Sequence, residues 1–241
     1  MTLNYNDLNI LKPPPDKGVR VDFRVHDFDR LIEQKGYKVK WEQAMYCTCH
    51  YDPEIDEFTG QPNYNCPLCK GEGFTYLPPE EARVVATSIS NGIDQTRIGL
   101  NELGTAYITP TSNNIVGIRD RFTFVDFTIR YSQIIKLSGN RVDRLKYAPT
   151  KLIAVRTSGG KVFKPGIDCR LTPEGIEWIT SPGTQGQIVS VLYQGLPRYI
   201  ALGPVHELRG TYLLSANKGM ETFARMPQQF QVKREDMLES Q

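Results

Sequence analysis

The chain has 241 residues, a net charge of +2 and an apolar fraction of 39%, so it can bury one large β core or two modest ones without disulfide support. Its 20 Gly and 16 Pro favour many turns over long helices. Near-neutral charge with no Lys/Arg run longer than two leaves a weak footprint for nucleic acid. The polar, Asn-rich start and the lack of any long apolar run predict neither a secretory signal peptide nor a membrane span.

Residues 1–22 contain Pro13, Pro14 and Pro15 followed by Asp16 and Gly18, a composition that resists helix and central strand and predicts an extended N-terminal arm. A short amphipathic helix is expected next. Asp27 can cap it, Phe28, Leu31 and Ile32 share one face, and Gly36 can end it in the left-handed conformation. Tyr37-Lys38-Val39-Lys40-Trp41 alternates and reads as a strand leading into a cysteine cluster. Helix and cluster together form the expected zinc-binding module, residues 23–80.

Beyond it the period is two. Strands are predicted around 84–89, 106–109, 121–125, 128–135, 151–156, 176–179, 187–193 and 198–202, separated by Gly, Asn or Asp. Short strands at this spacing predict a mainly β fold, with a β-sandwich or β-barrel assembly domain over 81–218 and an exposed C-terminal tail over 219–241.

Four of the five cysteines fall in two close pairs, Cys47-Thr48-Cys49 and Cys66-Pro67-Leu68-Cys69, separated by 16 residues. Each short turn presents two thiolates and the intervening loop brings the pairs together, which is what a tetrahedral Zn²⁺ requires. Pro67 and Gly71-Glu72-Gly73 allow backbone N–H groups to approach the sulfurs. The ligands expected are Cys47, Cys49, Cys66 and Cys69, with His50 able to replace one of the first pair. Two disulfides or four free thiols are the bland alternative, and no thioredoxin-like context favours a redox role. A catalytic zinc wants an open position and His or carboxylate ligands, so the metal is read as structural.

Other groups read as ordinary surface or core. His26 and His206 are isolated, Asp52, Glu54, Asp56 and Glu57 lack calcium-loop spacing, and Cys169 sits in an expected strand as a small hydrophobe. Phe122, Phe124, Phe127 and Tyr131 lie among Arg119, Arg121 and Arg130, and alternation assigns the rings to the core and the charges to solvent. No Ser-His-Asp order, P-loop or dinucleotide fingerprint is present.

The run Phe28-Asp29-Arg30-Leu31-Ile32, then Trp41-Glu42-Gln43-Ala44, Cys47-Thr48-Cys49 and Cys66-Pro67-Leu68-Cys69-Lys70-Gly71-Glu72-Gly73, resembles the start of structural proteins from tailed bacteriophages. Gly166-Ile167-Asp168-Cys169-Arg170-Leu171, Gly175-Ile176-Glu177-Trp178 and Val191-Leu192-Tyr193 are similar to β-domains in virion neck, head-to-tail connection and tail proteins. The cysteine phrase also resembles the repeats of DnaJ chaperones, but only one repeat is present and no J-domain precedes it.

The resemblance implies a non-enzymatic subunit of a ring at the neck, localised in the virion after assembly in the host cytoplasm. Its partners would be other copies in a homo-oligomeric ring and virion proteins on the portal or adaptor side and on the tail side. Genomic DNA would be touched only passively, and no membrane is involved. A tail or baseplate subunit is the nearest alternative. A zinc-ribbon nucleic-acid-binding protein is the rival of another class; it needs a basic surface, whereas Lys38, Lys40 and Lys70 are offset by Asp52, Glu54, Asp56, Glu57 and Glu72.

Overall fold

In a computed structural model of the chain, residues 25–52, 57–58, 60–88, 104–180, 185–205, 210–214 and 221–238 are described, and the arm expected over 1–22 lies outside them. Helix α1 is Val25–Lys35, and strand β1, Tyr37–Glu42, follows directly. Four short strands come next: β2 (Ala44–Tyr46), β3 (Tyr51–Asp52), β4 (Glu57–Phe58) and β5 (Phe74–Tyr76). Then come β6 (Glu80–Ser88), β7 (Thr105–Pro110) and β8 (Arg121–Phe124). A run from β9 (Ile129–Lys136) through β10 (Val142–Arg144), β11 (Pro149–Thr157), β12 (Val162–Phe163), β13 (Cys169–Thr172) and β14 (Gly175–Trp178) ends at β15 (Ile188–Gly195). The last strands are β16 (Arg198–Pro204), β17 (Gly210–Leu214), β18 (Glu221–Arg225) and β19 (Phe230–Arg234).

Six strands close into a barrel in the order β1-β6-β7-β19-β16-β8. Alternation drives this: Val39 and Trp41 of β1, Val84, Ile108, Phe122 and Val232 all point inward and are buried. A buried carboxylate braces the barrel. Asp120 accepts the Trp41 indole N–H at 2.8 Å and the backbone N–H groups of Ala44 and Gly117, each also at 2.8 Å.

The second β unit is a sandwich inserted between barrel strands β8 and β16. A four-stranded sheet, β12-β11-β15-β9, packs on a three-stranded one, β10-β14-β13, around Tyr131, Val155, Phe163, Cys169, Ile176, Val191 and Tyr193. Its own tryptophan repeats the brace, because the Trp178 indole N–H donates to buried Asp143 at 2.8 Å. Among the described residues two further excursions leave the barrel: the cysteine module between β1 and β6, and the β17–β18 hairpin between β16 and β19.

The mainly β class expected from sequence, with a β-sandwich or β-barrel domain, is what the structure has, but several local expectations are corrected. The assembly domain drawn over 81–218 is two units with separate cores, and the barrel borrows β1 from the segment read as the zinc module. The segment read as a tail supplies β18 and β19, and β19 closes the barrel by pairing with both β7 and β16. Only Ile32 of the expected helix face is buried; Phe28 and Leu31 are about half exposed at 45% and 52%. Gly36 does receive the end of α1, its N–H donating to Ile32 O at 2.8 Å, but not in the left-handed region. Glycine is needed there for space, since a Cβ would stand 2.4 Å from Ile32 O and 3.1 Å from Val84 O. Phe122, Phe124 and Tyr131 are core residues as alternation requires, whereas Phe127 is exposed and Arg121 is largely buried.

Candidate metal centre

The cysteine module is built on a small hairpin, β2 with β5, continuous with barrel strands β1 and β6. Leaving β2, Cys47 starts a single 3-10 turn, Thr48–His50, which carries Cys49. The second pair sits on a tight knuckle: Lys70 N–H donates to Cys66 O at 2.9 Å and Glu72 N–H to Cys69 O at 2.9 Å. The turn passes through the left-handed region at Lys70 (φ 52°), Gly71 (φ 85°) and Gly73 (φ 79°). That conformation is open to glycine and strained for most other residues, which is why the phrase reads Lys-Gly-Glu-Gly.

All four sulfurs lie within 4.8 Å of one another. Cys47 Sγ is 3.7 Å from Cys66 Sγ, and Cys49 Sγ is 3.5 Å from Cys69 Sγ, so the contacts cross between the two pairs and are far too long for disulfides. Cys47, Cys66 and Cys69 are buried and Cys49 partly so. The donor set is therefore a compact cage of four soft thiols able to hold a metal ion.

The thiols differ electrostatically. Backbone N–H groups of Cys69 and Leu68 point at the Cys66 sulfur and lower its pKa to about 7. Burial pushes Cys49 up to about 12, with a backbone hydrogen bond from Asn63 offsetting part of the rise. The Cys66 proton therefore leaves easily, whereas burial holds the proton on Cys49.

His50 stands beside the cluster in a different role. It is buried, its Nε2 lies 3.0 Å from Gly73 O, and its ring stacks on Phe58 with centroids 5.2 Å apart. Gly73 O also accepts the Cys47 N–H at 2.8 Å, so one carbonyl ties the first cysteine, the histidine and the knuckle together. Gly73→Ala is expected to break this tie, because the φ of 79° is unfavourable for alanine and the new Cβ would sit 2.6 Å from His50 Nε2. Metal affinity should fall roughly tenfold, measured by competition with a chromophoric chelator; an unchanged constant would show that the carbonyl does not orient the ligands.

Of the remaining candidates, Cys169 is buried in the sandwich core, where burial raises its thiol pKa to about 11, and it is remote from the cluster. His26 and Glu57 are exposed, while Glu54, Asp56 and His206 lie outside the described residues. Sequence reasoning missed Asp120, Glu72 and Glu235. Glu235 receives Arg121 Nη2 at 3.2 Å and Arg198 Nη1 at 3.3 Å, and Glu72 lies 3.6 Å from Arg121. Alternation alone sends Arg121, beside Phe122, to solvent, so nothing local pointed to this buried pair. Among the described residues no helix is long and apolar enough to cross a membrane. The chain matches no protein-family model and no curated protein.

Proposed function

We propose that the chain is a non-enzymatic structural subunit of a tailed-phage virion, forming a homo-oligomeric ring at the neck, with one structural Zn²⁺ held by Cys47, Cys49, Cys66 and Cys69. The sulfur cage supports the zinc: with Zn–S near 2.3 Å a regular tetrahedron has S···S edges of about 3.8 Å, close to the 3.5 and 3.7 Å contacts here. Zinc would offset two of the four thiolate charges and fix the loop, and four protein ligands leave no position for a substrate.

The resemblance of the sequence phrases to neck and head-to-tail connection proteins is what supports the virion role, and the surface is compatible with it. Strand β9 forms one edge of its sheet, with no strand among the described residues paired on its outer side, and Ile134 on it is 74% exposed. Such an edge is suited to accepting a strand from a neighbour. A ring is a heterologous assembly, in which one face of each subunit meets a different face of the next.

Native mass spectrometry of the full chain reads both halves of the proposal. One zinc per chain together with rings or ring fragments is the expected spectrum. A metal-free monomer would overturn the zinc site, and a zinc-bound monomer at every concentration would overturn the ring.

A further inference from the structure

Two short connections join the sandwich to the barrel, and a few hydrogen bonds brace the crossing. Phe124 N–H donates to Pro197 O at 3.0 Å, Leu196 N–H to Ala148 O at 3.1 Å, and the Tyr131 hydroxyl to Leu196 O at 3.2 Å. All of these lie at the two connections themselves. Other contacts between the units reach across from the side.

The metal loop does so as well. Glu72 follows Cys69 by three residues and is held by its own N–H on the Cys69 carbonyl. Its carboxylate faces both units, with Oε2 at 3.6 Å from Arg121 Nη2 of barrel strand β8 and Oε1 at 3.7 Å from Lys146 Nζ of the sandwich. Tyr76, at the end of the same module, lies under the Arg121 guanidinium with 3.5 Å from Cζ to the ring centroid. Both cations also reach the buried Glu235 carboxylate, Arg121 at 3.2 Å and Lys146 at 4.0 Å. Arg198 leans over Tyr147 of the sandwich at 5.4 Å and pairs with Glu235 as well. Three cations therefore share two carboxylates, and one of the two belongs to the metal loop.

We propose that the metal loop is a latch between the two β units: the ion fixes the knuckle, the knuckle fixes Glu72, and Glu72 clamps Arg121 of the barrel to Lys146 of the sandwich. Metal occupancy then sets how firmly the sandwich is held against the barrel. The strength suits a hinge rather than a fold. Glu72 and Lys146 side chains are 45% and 47% exposed, so their pairing is solvent-screened and its loss loosens the joint without unfolding either core. The latch rests on metal binding by the four cysteines and is independent of the ring.

The test is hydrogen exchange by mass spectrometry on the full chain in three states: zinc-loaded, chelator-treated, and Glu72→Gln with zinc bound. Native mass spectrometry of each sample reads the metal. In zinc-bound Glu72→Gln, peptides covering 145–149 and 196–198 should exchange about two- to fivefold faster, while peptides holding Val84 and Val191 keep their protection. Chelation should accelerate the same hinge peptides at least as much. Glu57→Gln, which removes an exposed carboxylate from the same module, should leave them unchanged. Hinge exchange unaltered in zinc-bound Glu72→Gln, or accelerated equally by Glu57→Gln, overturns the latch while leaving the zinc site standing. A wild-type chain that takes up no zinc overturns the metal reading and the metal control of the hinge together.

Discussion

Cys66→Ser is expected to bring bound metal from one equivalent to near zero and to open residues 47–69 to protease. The Cys66 thiolate forms readily, since two backbone N–H groups already stabilise its charge and hold its pKa at about 7. A serine hydroxyl at this position stays protonated and offers a hard oxygen in place of a soft sulfur. Among the cysteines left, Cys49 holds its proton firmly, its pKa pushed up to about 12 by burial. Without the ion the module has little to hold it: three two-stranded or single-turn pieces around four sulfurs, with Tyr46, Phe58 and Tyr64 exposed at 63%, 59% and 80%. Metal content by native mass spectrometry and limited proteolysis check the result. A retained zinc with an unchanged digest would remove the four-cysteine centre.

Glu235→Ala should be the most damaging single change outside the hydrophobic cores. The carboxylate is 7% exposed and serves Arg121 and Arg198, whose side chains are 11% and 19% exposed. The Nε atoms of both arginines are buried with no hydrogen-bond partner, so the guanidiniums depend on their Nη contacts for compensation. Removing one partner of a buried ion pair costs roughly 3–5 kcal/mol because a charge is left without its counter-ion. Glu72 partly relieves Arg121, which argues for the lower end, about 3 kcal/mol. At this chain length that corresponds to a melting midpoint lower by about 10 °C. Trp41 in the barrel and Trp178 in the sandwich give each unit its own fluorophore, so Trp178→Phe and Trp41→Phe backgrounds tell which unit melts early. A midpoint within a degree or two of wild type would mean that water satisfies the arginines.

The features that sequence made legible share one property, short-range periodicity. Tyr37 to Trp41 alternates cleanly and places Val39 and Trp41 in the core, and two cysteine pairs in 23 positions declare their meeting point through turn geometry alone. What stayed hidden depends on partners distant in the chain. Phe230-Gln231-Val232-Lys233-Arg234 has only two apolar residues, too few to mark a strand, yet burying both against β7 and β16 completes the barrel. The division into barrel and sandwich was equally unreadable, because all the strands share the same period and only contacts between β8 and β16, some 75 residues apart, show that the sandwich is an excursion. Phe28 and Leu31 illustrate the opposite error. Helical spacing aligned them with Ile32, but of the three only Ile32 is buried. Arg121 breaks the rule that charges alternate outward, and the reason is Glu235, 114 residues away.

Barrel closure by its last strand imposes an order on biosynthesis. The four cysteines have all left the ribosome once residue 69 has emerged, whereas β19 ends at Arg234. At 5–20 residues per second the interval is roughly 10–30 s. Late in it, once Pro204 has emerged, the nascent chain can already carry its metal and a complete sandwich, while β7 and β16 both wait with unpaired edges for the strand between them over the last 30 residues, roughly 2–6 s at the same rate. Such edges are the places where partly made chains pair with one another. The slow, long-range step therefore comes last, and co-translational aggregation would be set by how long those two strands stand open rather than by the stability of the finished barrel.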